Sequence, residues 1–365
     1  MMSDTSKMEY RFMGRSGLKV SSVCLGTMMF GDRENPYPGQ SNTATSHAML
    51  DRFVELGGNF IDTADVYSNG QSEAIIGQWL SGRSRDDIVL ATKVGLRSEN
   101  RGLSRRSIIE SLERSLERLQ TQYIDLYQTH FWDKGTPVEE TLRTFDDLVR
   151  CGKIRYGGNS NLCGWMVQKI ADMTDRLGIN PFISLQQRYS LGSRDSEWDA
   201  FAVCNQVGVG VMAWGTLMSG LLTGKYKQGQ LPVNSGKETR LSWLAEDESR
   251  CRRIFPSWTK VQEDTRLWET LDVLKQLANT HNRSVSQVAQ KWVLQKNISS
   301  IIIGSRDLPQ LQANMVAGHT DWELSSQEMQ LLHEVSNISL PYEQESFRAM
   351  GTGNTSRYNR FNPQY

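Results

Sequence analysis

The feature of this sequence that most limits its fold is a regular alternation of short apolar, β-branched runs with longer amphipathic stretches. The short runs predict strands, and the amphipathic stretches repeat their apolar residues at helical spacing. We predict eight strands, near Ser22–Leu25, Asn59–Asp62, Ile88–Thr92, Ile124–Thr129, Arg155–Asn159, Ile183–Gln187, Gly210–Ala213 and Ile301–Ile303. The predicted helices are Thr45–Leu56, Glu73–Leu80, Arg105–Leu119, Val138–Val149, Cys163–Leu177, Glu197–Asn205 and Thr265–Thr280.

Strands that alternate with helices run parallel, and a parallel sheet must be covered on both faces. An open doubly wound sheet and a closed eight-stranded barrel both satisfy this requirement. A doubly wound dinucleotide-binding sheet carries Gly-x-Gly-x-x-Gly after its first strand, whereas here the first strand leads into Leu25-Gly-Thr-Met-Met-Phe-Gly31. The eight repeats therefore predict an α/β fold, a (β/α)8 TIM barrel, which spans about 200 to over 400 residues as one domain.

Three segments depart from the plain eightfold repeat. Residues 8–20 predict a short β-hairpin that turns at Arg15-Ser16-Gly17 and plugs the bottom of the barrel. A long polar insertion from Gly220 to about Glu263 follows strand seven, and insertions of this size are usually lids or binding loops. The third segment is the tail Pro341–Tyr365, which shows no period. We therefore predict one domain over residues 8–340, with terminal extensions at 1–7 and 341–365.

The charge balance disfavours two classes of partner. The chain has 41 Lys and Arg against 41 Asp and Glu, with no long basic run, whereas nucleic acids and anionic membranes bind clustered cations. No apolar run is long enough for a membrane span, and Met1-Met2-Ser3-Asp4 does not resemble a secretory signal. Five scattered cysteines predict free thiols and no metal site. We expect a cytoplasmic protein that binds a small molecule, and the sequence does not decide whether it also binds a protein partner.

Four polar side chains stand at or just after the ends of three successive predicted strands. They are Asp62, Tyr67, Lys93 and His130. Because the active site of such a barrel lies at the carboxyl ends of its strands, we expect these side chains to meet at one rim. A nearby ammonium lowers the pKa of a phenol, so Lys93 would make Tyr67 a usable proton donor. Asp62 would hold the lysine charged, and His130 would donate a hydrogen bond to a substrate oxygen.

Each of these residues also has a less specific interpretation. A lone Asp after a strand is more often a turn former, and a lone His is more often structural. Lys93 could also be the Schiff-base lysine of a barrel aldolase. Taken together, the four favour proton delivery to a carbonyl, and since they include no hydride source, a cofactor is required.

A second candidate site follows the eighth strand, at Gly304-Ser305-Arg306. A glycine turn that feeds a helix amino terminus binds anions, and a guanidinium can form two hydrogen bonds with a phosphate. Phosphate sites in these barrels commonly follow strands seven and eight, which supports an anion site at this turn.

Three motifs resemble signatures of the aldo-keto reductase superfamily. They are Gly57–Tyr67 (GGNFIDTADVY), Gly152–Asn161 (GKIRYGGNSN) and Gly220–Tyr226 (GLLTGKY). The match runs from about Tyr10 to Ser336, and it looks nearer to the bacterial-type reductases and potassium-channel β subunits than to the aldose reductases.

The resemblance implies a catalytic tetrad of Asp62, Tyr67, Lys93 and His130, with Tyr67 as the general acid. It also implies NADPH or NADP⁺ bound across the barrel mouth. Thr27 and Met28 would line the cofactor, Ser160, Asn161 and Gln186 would hold the nicotinamide amide, and Trp214 would stack on its ring. Leu217, Ser219, Gly220, Leu222 and Lys225 would bind the pyrophosphate, while Gly304, Arg306, Gln310 and Asn314 would bind the adenosine end, with Arg306 near the 2′-phosphate.

The sequence departs from the family pattern at four positions. Trp214 and Thr216 replace Tyr and Pro, Ala313 replaces a Glu that contacts adenine, and Asn159 replaces a small apolar residue. None of these is in the tetrad, so we predict an NADPH-dependent reductase of aldehydes or ketones. The alternatives are a cofactor-sensing regulatory subunit like the channel β subunits, and a Schiff-base lyase.

Overall fold

The eight predicted strands close into one parallel barrel in this computed structural model, which confirms the predicted fold class. The structure describes residues 8–32, 39–97, 102–232, 239–247, 257–340, 342 and 345–346. A two-stranded antiparallel hairpin, β1 (Tyr10–Phe12) and β2 (Lys19–Ser21), precedes the barrel. The barrel strands are β3 (Val23–Gly26), β4 (Phe60–Asp62), β5 (Val89–Val94), β6 (Ile124–Thr129), β7 (Ile154–Ser160), β8 (Phe182–Arg188), β9 (Gly210–Trp214) and β10 (Ser300–Ile303).

Helices connect the successive barrel strands. Between β3 and β9 they are α1 (Thr43–Glu55), α2 (Gln71–Leu80), α3 (Arg105–Leu119), α4 (Val138–Arg150), α5 (Gly164–Leu177) and α6 (Ala200–Val207). Between β9 and β10 lie α7 (Arg240–Glu246), α8 (Trp258–Glu263), α9 (Thr265–Thr280) and α10 (Val285–Leu294), and α11 (Leu308–Met315) and α12 (Ser326–Val335) follow β10. In the described residues no helix is both long and apolar enough to cross a membrane.

Helix α3 shows how the sequence produces these elements. The Ser104 hydroxyl caps its first turn by accepting from the backbone N–H of Ser107. Ile108 and Leu112 are fully buried on the face that covers the sheet. Burial of each such side chain contributes about 1.5–3 kcal/mol. Gln120 then ends the helix in a left-handed conformation.

The hairpin closes the bottom of the barrel, as predicted. Met13, Leu18 and Val20 are buried and pack against Cys24 and Phe60, which belong to the lowest layer of the barrel interior. The hairpin therefore seals the amino-terminal ends of the strands, and the opposite end is free to carry a site.

Gly14, at the hairpin turn, provides a test of this plug. Its φ is +55°, and an added Cβ would overlap backbone atoms of Gly208 and Gly210. We expect Gly14→Ala to lower the free energy of unfolding by about 2–4 kcal/mol, because it combines left-handed strain with a clash against backbone. Gly17→Ala is the matched control, since nothing lies within 4 Å of its added Cβ. Urea unfolding of both variants measures the difference, and equal stabilities would contradict the plug.

The insertion after β9 contains more regular structure than a loop. Helices α7 and α8 lie in it, with Leu241, Leu244 and Trp258 buried. The prediction of a loop was therefore wrong for these two segments. The insertion is mostly polar, but its few buried apolar residues are enough to pack two short helices. Residues 233–238 and 248–256 of the insertion, and nearly all of both terminal extensions, lie outside the described residues.

Candidate active site

The barrel interior changes from apolar to polar along the strands. Side chains two residues apart in a strand point to the same face, so each apolar residue of the lowest layer is followed by a polar one higher up. Phe60 is followed by Asp62, Ala91 by Lys93 and Leu126 by Gln128. The strand register therefore builds a polar layer at the carboxyl end of the barrel.

The Lys93 ammonium is the centre of this layer and is fully buried. It donates to Asp62 Oδ2 at 2.6 Å, to the carbonyl oxygen of Thr63 at 2.8 Å and to Tyr67 Oη at 3.1 Å. Burial lowers the pKa of Lys93, but Asp62 and Tyr67 outweigh it and raise the pKa above its usual value. Because all three N–H groups are used and the ammonium stays charged, the geometry disfavours a Schiff base at Lys93.

Two glutamines hold the second oxygen of Asp62. Gln128 Nε2 lies 3.1 Å and Gln186 Nε2 2.8 Å from Asp62 Oδ1. Sequence reasoning missed Gln128, although its place two residues after Leu126 on the inward face was a signal. Gly158 of β7 pairs with Gln128 of β6, and a Cβ there would overlap the Ser184 hydroxyl and crowd Gln128 Cγ at 3.3 Å.

Tyr67 follows β4 on a short turn, and its hydroxyl receives the hydrogen bond from Lys93. Burial raises the pKa of Tyr67 above 10, and Lys93 offsets only part of this increase. The expectation that Lys93 lowers the net pKa of Tyr67 was therefore wrong, because desolvation of the phenol is the larger effect. The phenol stays protonated at neutral pH, and since its oxygen accepts from Lys93, its own proton is free for another acceptor.

His130 lies beside Tyr67, with ring centroids 5.9 Å apart in an edge-to-face arrangement. Burial and then the charge of Lys93 lower the pKa of His130 to about 3. The imidazole is therefore neutral at physiological pH. Its Nδ1 atom is buried and has no hydrogen-bond partner among the described residues. The structure thus brings all four predicted tetrad residues to one rim.

Hydrogen bonds join the ends of β7 and β9 at this rim. Asn161 adopts a left-handed φ of 59° and donates from Nδ2 to the carbonyl oxygen of His130 at 3.1 Å. The indole N–H of Trp214 donates to Asn161 Oδ1 at 3.1 Å, and the Ser160 hydroxyl donates to the carbonyl oxygen of Gln186. Ser160, Asn161, Gln186 and Trp214 therefore lie together beside the tetrad.

The other predicted cofactor residues lie at the same end of the barrel. Thr27 and Met28 follow β3, Leu217, Ser219, Gly220, Leu222 and Lys225 follow β9, and Gly304, Arg306, Gln310 and Asn314 follow β10 or lie in α11. Thr27 is fully buried and its hydroxyl donates to the carbonyl oxygen of Asp62, so this side chain also has a structural role. Gln310 accepts from the backbone N–H of Arg306 and shapes the turn before α11.

Lys225 and Arg306 form a cationic pair that suits an anion. Burial and the charge of Arg306 lower the pKa of Lys225, so the two cations lie close to each other. Arg306 Nε and the Ser219 hydroxyl are buried without hydrogen-bond partners in the described part of the chain. The Oδ2 atom of Asp307 lies 3.7 Å from Arg306 Nε, too far for a hydrogen bond. These orphan donors and repelling charges fit a phosphate-bearing cofactor.

Comparison with known proteins agrees with this geometry. A profile described as "Aldo/keto reductase family" matches residues 22–337. The chain belongs to the aldo/keto reductase family. It is thus an oxidoreductase that acts on carbonyl groups.

Three relatives show the range of proteins that this aldo/keto reductase resembles. It is 36% identical to norsolorinic acid reductase of Aspergillus flavus, over 83% of this chain and 74% of the relative. It is 31% identical to aryl-alcohol dehydrogenase [NADP(+)] of Phanerodontia chrysosporium, over 89% and 86%. It is 33% identical to the oxidoreductase YrpG of Bacillus subtilis, over 90% and 96%.

Arg240, the first residue of α7, is a further charged residue near the tetrad of this aldo/keto reductase. Its guanidinium is close enough to lower the pKa of Tyr67, and its Nη2 lies 3.0 Å from Met29 Sδ. Sequence reasoning missed Arg240 because the insertion carries no motif at that position. The insertion therefore reaches the mouth of the active site.

Asp65 lies between Asp62 and Tyr67 in the sequence, and its carboxylate is buried. Both of its carboxylate oxygens lack hydrogen bonds to any described residue. Burial and then the neighbouring Glu73 raise the pKa of Asp65 to about 7, although Arg118 and Arg97 offset part of this rise. Between about pH 4 and about pH 7 the folded protein therefore holds a proton that the unfolded chain has lost.

This raised pKa makes stability fall as the pH rises from about 4 to about 7, and the loss is complete above about 7. We expect Asp65→Asn to raise the free energy of unfolding near pH 8 by on the order of 2–4 kcal/mol, and by less near pH 5. Urea unfolding at both pH values measures this, with the exposed Asp272→Asn as the control. An Asp65→Asn effect that is equal at the two pH values would contradict the assignment.

Proposed function

We propose that this chain reduces an aldehyde or ketone to an alcohol, with NADPH as the reductant and Tyr67 as the proton donor. The observation that carries the proposal is the hydrogen bond from the buried Lys93 ammonium to Tyr67 Oη, 3.1 Å long. This bond stabilises the phenolate that remains after the proton leaves, and it directs the phenol proton away from the lysine.

The other tetrad residues have supporting roles in the proposed reaction. Asp62, held by Gln128 and Gln186, keeps Lys93 charged and in place. The neutral His130 offers an N–H to the carbonyl oxygen and orients it toward Tyr67. NADPH, when bound, would supply the hydride that the carbonyl carbon accepts, and Tyr67 would supply the proton that the carbonyl oxygen accepts to give the alcohol.

The cationic pair supports the choice of NADPH over NADH. NADPH differs from NADH by a 2′-phosphate, and the Nε of the partly buried Arg306 forms no hydrogen bond among the described residues. Because a lost charge-assisted hydrogen bond is worth about 1.5–3 kcal/mol, we expect Arg306→Ala to raise the Kd of NADPH by about 10- to 100-fold. The Kd of NADH should change by less than about threefold, since NADH has no phosphate at this position.

Cofactor fluorescence titration measures both Kd values without any turnover. The control is Arg106→Ala, which removes an exposed guanidinium from α3. Equal effects of Arg306→Ala on NADPH and NADH would contradict the placement of Arg306 at the 2′-phosphate.

A further inference from the structure

Two tryptophans form an aromatic pair on the rim that carries the tetrad. Trp132 follows β6, two residues after His130, and Trp165 lies in the first turn of α5, after β7. Their ring centroids are 5.5 Å apart with an interplanar angle of 65°. Trp165 is 56% exposed, whereas every other tryptophan in the described part of the chain is buried or partly buried.

The backbone on the Trp132 side of the pair is fixed by Asp133. Its Oδ2 accepts from the N–H of Leu103 at 2.8 Å and from the Thr136 hydroxyl at 2.7 Å. Its Oδ1 accepts from the N–H of Gly135 at 2.8 Å. These hydrogen bonds lower the pKa of Asp133 despite its partial burial, so the carboxylate stays charged and the turn stays closed.

The backbone on the Trp165 side is fixed in a similar way. The N–H of Gly164 donates to both carboxylate oxygens of Asp199, at 3.0 and 2.9 Å. The Asn161 side chain, on the same connection as Trp165, donates to the carbonyl oxygen of His130. These hydrogen bonds order the backbone that carries the two tryptophans, next to the catalytic histidine. Because this surface is already ordered in the free protein, ligand binding loses less conformational entropy there.

We propose that the Trp132–Trp165 pair is a stacking platform for the aryl ring of the substrate, so that the enzyme selects aromatic over aliphatic carbonyls of the same size. Two residues of extended chain span about 7 Å, which keeps Trp132 within reach of a molecule whose carbonyl oxygen is at His130. Because Trp165 is 56% exposed, much of its ring is open to another ring, and stacked aromatic rings bind more tightly than their buried area alone predicts. This inference rests on the proposed reductase function and specifies its substrate class.

The test compares two aldehydes of matched size, benzaldehyde and cyclohexanecarbaldehyde. We expect Trp165→Ala to lower kcat/KM for benzaldehyde by about 3- to 10-fold, mainly through KM, and to change kcat/KM for cyclohexanecarbaldehyde by less than about twofold. Trp165→Phe keeps a ring and should retain most of the preference. The control is Phe12→Ala, which removes a 58% exposed aromatic ring from the hairpin at the opposite end of the barrel.

Several outcomes overturn the platform. A preference for benzaldehyde that is unchanged in Trp165→Ala would reject the platform. An equal fall in kcat/KM for both aldehydes would also reject it. A Trp165→Ala variant that keeps the preference but elutes as a smaller species would assign Trp165 to contact with a second copy of the chain instead. If the wild type reduces neither aldehyde nor any other carbonyl, the reductase function itself fails. Circular dichroism of each variant confirms that the barrel is folded.

Discussion

Tyr67→Phe is expected to lower kcat for carbonyl reduction by about 10²- to 10⁴-fold, the usual contribution of a positioned general acid. The substitution removes only the hydroxyl, which lies 3.1 Å from Lys93 Nζ, and it retains the ring that packs against His130. We therefore expect the Kd of NADPH to stay within about twofold of wild type, since none of the orphan donors near Lys225 and Arg306 is altered.

Stopped-flow absorbance of NADPH under single-turnover conditions measures the chemical step directly, so that slow product release does not mask the loss. Tyr123→Phe is a matched control, because it removes a hydroxyl that donates to Asp86. Tyr123 directly precedes β6, so it lies at the end of the barrel opposite the tetrad. A Tyr67→Phe enzyme with a near wild-type single-turnover rate would exclude Tyr67 as the proton donor.

Lys93→Met is expected to remove activity and also to destabilise the fold. The substitution leaves Asp62, which is only 2% exposed, without its cation, and loss of one partner of a buried ion pair costs about 3–5 kcal/mol. Tyr67 would also lose the ammonium that stabilises its phenolate. We therefore expect kcat to fall by at least about 10²-fold together with a lower midpoint of urea unfolding.

A double variant separates these two effects. Asp62→Asn combined with Lys93→Met removes both charges but keeps an amide oxygen that Gln128 and Gln186 can donate to. We expect the double variant to recover most of the stability lost in Lys93→Met, because no buried charge is left uncompensated, while activity stays absent. If activity returned together with stability, Lys93 would have only a structural role.

The sequence predicted the barrel well because its signals are periodic. Each strand run is short and apolar, and the predicted bounds agree with the observed ones to within a few residues. Helix α10 was missed although Ser284 and Gln287 form a capping box there. Only one helix was predicted shortly before β10, and that helix corresponds to α9.

The tetrad was predicted because its members stand at strand ends, and the geometry then followed from the parallel register. Features that depend on competing energies could not be predicted in this way. The net pKa of Tyr67 depends on whether desolvation exceeds the field of Lys93, and the orphan carboxylate of Asp65 depends on how α2 and α3 pack over it. Gln128 carried no motif, since an inward glutamine in a strand is recognised only when its partner Asp62 is placed.

Transfer of a deuterium label from NADPH to the product would show directly whether this protein moves hydride to a carbonyl carbon. The enzyme would be incubated with benzaldehyde and NADPH that carries deuterium at both C4 positions, and the alcohol would be analysed by mass spectrometry. Under the proposed reduction we expect one deuterium on the carbinol carbon of the alcohol and one NADP⁺ formed for each alcohol. Tight binding of NADPH with no labelled alcohol from any aldehyde or ketone would contradict it, and would favour a cofactor-sensing role instead.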